Sequence, residues 1–269
     1  MNAFVNHFAF EFKTGLRSSS MMFMNYLFPV LFYAMMGVVM TGINPLFKES
    51  MLPAMSIFAL MASTVLGLPN PLVDSREAGI YRSFKINGVP ALSILMIPVL
   101  TTVFHALIAS AIIALTAGPL FGGQPPANWA AFWAISILTA AACAALGALI
   151  GVVSADTRGI MLWSQLIFLP SMLIGGLMIP LSVLPESVRP FSLLLPTAHA
   201  MQAYTGLAYG QPTVVNPAVS VAVLACSAIL AFGLAIYLFN WDSKNQARRG
   251  HPALALLVLV PYLASMLAR

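Results

Sequence analysis

Long runs of apolar residues without a charged side chain constrain this chain more than any other feature of its sequence. A run of about 17 to 25 such residues, at about 1.5 Å of helix each, can cross the hydrocarbon core of a bilayer. Only 7% of the 269 residues are charged, against about a quarter in soluble proteins. The runs lie at residues 21–42, 51–68, 91–117, 129–153, 160–181 and 219–239. We therefore predict an all-α integral membrane protein with six transmembrane helices. They form a single membrane domain over residues 1–269, which leaves no stretch large enough for a soluble catalytic domain.

The residues before the first span predict an amphipathic helix at residues 3–18. Its apolar side chains recur every four positions and basic side chains lie beside them, as in helices that lie flat in the membrane interface. The apolar residues are Phe4, Phe8, Phe12 and Leu16, and the basic residues are Lys13 and Arg17. An unstructured tail is the alternative interpretation.

Two further segments are apolar but too broken or too short for an ordinary span. Residues 182–217 contain five prolines and predict short helices folded back at the membrane surface, as a re-entrant hairpin. Residues 253–268 are interrupted by Pro261, and as a helix they would cover only about 24 Å. We expect this C-terminal segment to be re-entrant or interfacial, with a short seventh span as the alternative.

The distribution of basic residues predicts the orientation of the spans. Segments on one side hold nine Lys or Arg residues and those on the other side hold two. The positive-inside rule therefore places the N-terminus and residues 70–90 in the cytoplasm and residues 182–217 outside, in a multi-pass protein of the cell membrane. The nine are Lys13, Arg17, Arg76, Arg82, Lys85, Arg158, Lys244, Arg248 and Arg249, and the two are Lys48 and Arg189. Because these charges are scattered over short loops, the net charge of +5 does not indicate a nucleic-acid partner.

The sequence offers no motif for chemistry of its own. It contains no glycine-rich phosphate loop, no His-Glu-x-x-His pattern and no paired cysteines, so we expect no catalytic residue, no metal ligand and no cofactor bound by this chain. No Asp or Glu lies inside a predicted span, which argues against a carrier driven by a coupling ion. His105, in the third span, is the exceptional ionisable residue. It is either a relay or ligand, or a neutral histidine hydrogen-bonded to a neighbouring helix.

Aromatic and small residues in the spans suggest two packing features. Six side chains are candidates for an apolar substrate path, although lipid-facing aromatic residues are commoner. They are Phe28, Tyr33, His105, Trp163, Gln165 and Phe168. Small residues in the fourth span allow another helix to approach closely, and that helix belongs either to the same bundle or to a second subunit. They are Ala141, Cys143, Ala145, Gly147 and Gly151.

Residues 70–90 carry five charged side chains between two apolar spans, so water must reach them. The sequence Arg76-Glu77-Ala78-Gly79, followed by Phe84 and ending in Asn87-Gly88-Val89-Pro90, resembles the Arg-Glu-x-Gly signature of type 2 ABC exporter permeases. A second stretch resembles the extracellular hairpin of that family, through Gly175-Gly176, Pro180, Leu184-Pro185, Arg189, Pro196, His199 and Gly210. The resemblance covers nearly the whole chain. Ile80 and Gly88 depart from the family pattern, which usually has Thr and Pro at those positions.

The resemblance implies a permease subunit that dimerises and takes its energy from a separate ABC ATPase subunit, which would bind ATP and Mg. In that family a short cytoplasmic helix between the second and third spans docks on the ATPase, and the N-terminal helix braces it. The residues assigned to coupling are Arg76, Glu77, Gly79, Ile80, Tyr81, Arg82, Phe84 and Lys85. The charged members would make charge-assisted contacts and the apolar ones would fill a cleft. Gly79 predicts a bend before the docking helix.

The resemblance also implies export, and aromatic spans without acids favour a lipophilic substrate such as a drug, an antibiotic or a lipid-like molecule. Two other functions stay open. One is an ion-coupled secondary carrier that acts without an ATPase, and the other is a non-transporting membrane assembly factor. For residues 70–90 themselves, the alternative is a solvated loop that is basic only for topology.

Overall fold

The computed structural model describes residues 2–44, 47–242 and 250–267, and every regular element in those ranges is helical. Six of the described helices are long and apolar enough to cross a membrane, as the sequence predicted. With the helices numbered in chain order as given next, these six are α2, α3, α5, α6, α7 and α10. The helices are α1 (Asn2–Arg17), α2 (Ser19–Ile43), α3 (Phe47–Glu77), α4 (Ile80–Ile86), α5 (Ala91–Phe121), α6 (Trp129–Val153), α7 (Thr157–Ile174), α8 (Arg189–Ser192), α9 (Pro196–Ala203), α10 (Pro217–Leu238) and α11 (Val260–Leu267). The side chain of Phe4 and residues Pro45, Lys244, Arg248, Arg249 and Ala268 lie outside what is described.

The ends of two spans differ from the predicted ones. The second was predicted to end at residue 68, but α3 continues to Glu77 and takes in the first part of the predicted loop. The fifth was predicted to reach residue 181, but α7 ends at Ile174. Gly176 follows with a φ of 90°, a left-handed conformation that ends a helix. The fourth span, predicted at residues 129–153, coincides with α6.

α3 passes Pro69 and Pro71 without ending, just after a π-helical turn at Ala62–Gly67. Pro69 has no N–H group, so the carbonyl oxygen of Val65, four residues earlier, loses its helical donor. The hydroxyl group of Ser164 in α7 donates to that oxygen over 2.8 Å. A neighbouring helix thus supplies the hydrogen bond that the proline removes, as a membrane interior requires.

α3 and α6 form the centre of the bundle. In their most apolar stretches, 89% of the α3 residues and 83% of the α6 residues are buried, against 22% in α2 and in α7. Glycines of α6 explain how closely the two helices approach. A Cβ atom on Gly147 would lie 2.1 Å from the carbonyl oxygen of Thr64, and one on Gly151 would lie 3.2 Å from that of Pro69. The partner of these small residues is therefore a helix of the same bundle.

Between α7 and α10 the chain folds into turns and the short helices α8 and α9. Their apolar side chains form a small cluster of Leu181, Leu184, Leu193, Ala198 and Val215. His199 is buried there, where its Nε2 donates to the carbonyl oxygen of Leu193 over 3.0 Å and its Nδ1 accepts from the Ser220 hydroxyl over 3.3 Å. This hairpin lies where α6 and α10 begin, which we call the hairpin end of the bundle. The opposite end, where α3, α6 and α10 finish, we call the coupling end.

Candidate functional site

The residues between α3 and α5 form a short helix held between two glycine turns. Gly79 precedes α4 with a φ of 75°, and Gly88 follows it with a φ of 72°. Both angles belong to the left-handed region that glycine adopts without steric cost. A Cβ atom on either glycine would meet no other atom within 4 Å, so it is the backbone angle that requires glycine. The bend that the sequence predicted at Gly79 is present.

One side of α4 is exposed and combines basic with apolar groups. Its exposed side chains are Ile80, Arg82, Ser83, Lys85 and Ile86, and Ile86 is 80% exposed. Glu77, at the end of α3, is exposed next to them in the chain. Ile86 lies four residues after Arg82, which puts both side chains on one face of the helix.

Arg82 also binds within the chain. Its guanidinium group lies 2.7 Å from the carboxylate of Asp242, which follows α10. No local pattern in the sequence pairs two residues that are 160 positions apart. An ion pair this exposed contributes only about 0–1 kcal/mol, so Arg82 can exchange it for a carboxylate on a partner at little cost.

The other side of α4 packs on the bundle. Tyr81 is buried, with its ring centroid 5.3 Å from that of Phe239 just after α10. Burial raises the pKa of Tyr81 above its ordinary value, so the hydroxyl stays protonated. The ring of Phe84, which is half-buried, lies 6.0 Å from that of His7 in α1. Tyr81 was predicted to fill a cleft on a partner, and its burial corrects that prediction because the side chain anchors α4 to this subunit.

Arg76 is also buried, although the sequence predicted a charged contact with a partner. Its guanidinium group donates to carbonyl oxygens at the end of α6, including those of Val152 at 3.0 Å and of Ser154. The last carbonyls of a helix have no donor within that helix, and a guanidinium group offers five N–H donors. Arg76 therefore links α3 to α6 and is not a surface contact.

α1 lies across the coupling end and covers His105 of α5. The ring of Phe12 stacks on the imidazole with centroids 4.3 Å apart, and the Tyr26 hydroxyl lies 2.5 Å from its Nδ1. Gly15 leaves the space that this contact needs, since a Cβ atom there would lie 3.0 Å from Nε2 of His105. His105 borders a cavity of about 200 Å³ between α1, α3, α4 and α5. It thus joins α1 and α2 to α5, apart from the other substrate-path candidates.

The remaining substrate-path candidates lie in three places. Phe28 and Phe168 both pack on Phe58, with ring centroids 5.5 Å and 5.7 Å from it, so that α2, α3 and α7 meet in one aromatic cluster. Tyr33 instead forms a hydrogen bond of 2.9 Å with Thr116 in α5. Trp163 and Gln165 lie on the exposed face of α7. The six candidates therefore do not line one path within a single subunit. Phe58 was missed, although it is the one aromatic residue of the predicted second span.

Comparison with known proteins identifies the family. A family model described as ABC-2 type transporter matches residues 3–209, which is more than half of the chain and includes α1, α4 and five of the six candidate spans. No curated protein and no solved structure matched the chain. The matched region is a transmembrane permease domain and not a nucleotide-binding domain. The chain therefore belongs to the ABC-2 type transporter family and is a multi-pass membrane permease subunit of an ABC transporter.

Proposed function

We propose that this permease subunit takes its energy from a separate ABC ATPase that docks on α4, and that two copies of the permease together export a lipophilic substrate. The ATPase subunit would bind ATP and Mg. The observation that carries the proposal is the two-sided character of α4. One side offers basic and apolar groups to a partner, while the other packs on α1 and on Phe239 after α10.

The exposed side of α4 has the chemistry of a docking surface. Ile80 and Ile86 are 44% and 80% exposed, and complete burial of such a side chain contributes about 1.5–3 kcal/mol. Arg82, Lys85 and Glu77 surround them with charges that can form charge-assisted hydrogen bonds. A short helix with this composition fits an apolar cleft rimmed by charges.

The buried side of α4 can carry a displacement into the membrane. Arg76 ties the end of α3 to the end of α6, and Tyr81 packs on Phe239 after α10. A push on α4 would therefore move packed helices as units and would not be absorbed by a loose loop. A loop whose basic residues serve only to orient the spans would need neither the link from Arg76 to α6 nor the packing of Tyr81 on Phe239.

A second permease copy would pack on the exposed face of α7. Gln165 lies on that face among Leu162, Leu166 and Leu169, which are 53–73% exposed. An amide that faces lipid without a hydrogen-bond partner costs about 2–7 kcal/mol. A two-fold interface can place the same side chain of each copy opposite the other, so that Gln165 bonds Gln165. The aromatic cluster around Phe58 would then lie behind the interface and line a route for a lipophilic substrate.

We place the coupling end in the cytoplasm and the hairpin end outside the cell. Among the described residues, Lys13, Arg17, Arg82, Lys85 and Arg158 belong to segments at the coupling end, and Lys48 and Arg189 to segments at the hairpin end. The excess of basic residues favours this orientation.

Purification of the chain from its native membranes tests the proposal. We expect a protein with a nucleotide-binding domain to co-purify, and its amount to fall when Glu77 is replaced by Ala. Glu186→Ala, on the exposed part of the hairpin, is the matched control and should retain the ATPase. Substrate movement by the purified chain in liposomes without any ATPase would contradict the proposal and support an ion-coupled carrier. An intact chain that co-purifies with an assembly and moves no substrate would support the assembly factor.

A further inference from the structure

The C-terminal segment Pro252–Met266 runs alongside α10 from one end to the other, in the opposite direction. At its start, a Cβ atom on Gly250 would lie 3.1 Å from Cδ2 of Leu238, the last residue of α10. Further along, the Tyr262 hydroxyl forms a hydrogen bond of 2.7 Å with Ser227 near the middle of α10. Ser265 then lies 3.3 Å from Nε2 of His199, which itself bonds Ser220 near the start of α10.

The two ends of the segment have neighbours at opposite ends of the bundle. Pro252 lines a cavity of about 70 Å³ together with Arg76, Val152 and Leu238, all at the coupling end. Met266 packs against the apolar cluster of the hairpin, which includes Leu184 and Leu193. A re-entrant or surface-lying segment would have both ends on the same side of the membrane.

The local conformation gives the segment the length that it needs. Pro252–Leu259 forms a 3₁₀ helix of 8 residues, which at about 2.0 Å per residue covers about 16 Å. The following α-helical residues up to Met266 add about 10 Å. The matching part of α10, from Leu238 back to Ser220, covers about 27 Å, so the two lengths agree. Pro261 does not end the helical segment, because it lies at the second position of α11, where the 3₁₀ helix gives way to an α-helix and proline is well tolerated.

We infer that residues 252–266 form a seventh membrane crossing, so that the chain leaves the bilayer at the hairpin end, opposite α1. A hydrophobic length of about 26 Å is within the range that a bilayer accommodates by local thinning. The crossing also lies beside α6 and α7. It forms one wall of an apolar cavity of about 480 Å³, which Leu256 and Val258 line together with Leu149 of α6 and Ile167 of α7. The sequence alone left this possibility as the alternative, because a uniform α-helix of that length is too short.

Reporter fusions test the crossing directly. Alkaline phosphatase, active only outside the cytoplasm, and green fluorescent protein, fluorescent only inside it, are each fused after His251 and after Arg269. We expect the active reporter to change between the two fusion points, whichever way the whole chain is oriented. The same reporter active at both points would overturn the inference.

A second measurement uses the complete chain and needs no large fusion. Short epitope tags are added at the N-terminus and after Arg269, and sealed membrane vesicles are treated with protease from outside. With seven crossings one tag is digested and the other is protected until the vesicles are lysed. Equal behaviour of the two tags would mean an even number of crossings and would contradict the inference.

Discussion

The hydroxyl group of Ser164 in α7 donates a hydrogen bond of 2.8 Å to the carbonyl oxygen of Val65 in α3. That oxygen has lost its helical donor to Pro69, so the fifth span completes a bond that the second span cannot make alone. The same region of α3 is a π-helical turn, a feature that often occurs at functional sites. The contact therefore joins an exposed span to the buried centre of the bundle.

Replacing Ser164 by Ala should leave the buried Val65 carbonyl without a donor and lower the free energy of unfolding by about 1–3 kcal/mol. The measurement is the unfolding midpoint of the purified chain in detergent. Ser187→Ala, on the exposed turn before α8, is the control and should change the midpoint little. Equal midpoints for the two variants would show that the hydrogen bond adds nothing to stability.

The close approach of α3 and α6 predicts that Gly147→Ala is strongly destabilising. The added methyl group would lie 2.1 Å from the backbone oxygen of Thr64, so one helix must move. Overpacking of this kind typically costs about 1–3 kcal/mol. Gly233→Ala, where an added Cβ atom meets nothing within 4 Å, is the matched control in α10 and should be neutral or stabilising. Fluorescence-detected gel filtration after heating compares the two variants, and similar midpoints would contradict the packing.

The spans could be predicted from the sequence because length and hydropathy alone decide whether a helix can cross a membrane. The continuation of α3 past Pro69 could not be predicted, since the compensating donor Ser164 is 99 positions from its acceptor Val65. The same holds for Arg76, whose carbonyl partners on α6 are distant in the chain. The charge of Arg76 suggested a surface residue, and only the three-dimensional structure shows that its side chain is buried.

The candidate site shows the same division. Gly79 allowed the bend before α4 to be predicted from the sequence, because only glycine adopts a positive φ such as the one found here without steric cost. Tyr81 was wrongly assigned to the docking surface, because the sequence does not show which face of this 7-residue helix packs on Phe239. Without the positions of α1 and α10, helical spacing defines the faces of α4 but not which one is buried.

Acidic pH should destabilise the hairpin through His199. Burial lowers the pKa of this side chain from its ordinary value near 6.5 to about 4, since the charged form is poorly solvated among apolar neighbours. The unfolded histidine takes up a proton as the pH falls below about 6.5, whereas the folded one resists until about 4. Stability is therefore fully present above pH 6.5 and is lost between these values.

Unfolding midpoints of wild type and His199→Gln, measured from pH 8 to pH 4, test this prediction. The variant should be less stable at neutral pH, because it loses the hydrogen bonds to Leu193 and Ser220. Its midpoint should also fall less steeply with acid than that of wild type. Parallel curves would mean that His199 does not contribute to the pH dependence, since the acidic side chains are common to both proteins.

Arg76→Lys should loosen the link between α3 and α6 even though the charge is kept. A lysine ammonium cannot reproduce the planar set of donors that meets several carbonyl oxygens at once. We expect a loss of about 1–3 kcal/mol in unfolding free energy, from hydrogen bonds to a charged group. Arg158→Lys, at an exposed position near the start of α7, is the control. If both variants unfold alike, the bonds of Arg76 are not important for the bundle.

Ile86→Asp tests the central claim, that α4 is the docking surface for an ATPase subunit. The substitution puts a charge in place of an apolar side chain that is 80% exposed, so the free permease should fold normally. Val183→Asp, at a side chain that is 70% exposed on the hairpin, is the matched control. The measurement is the amount of ATPase that co-purifies with each variant from native membranes. The account predicts that Ile86→Asp loses the ATPase while Val183→Asp retains it, and full retention by Ile86→Asp would contradict it.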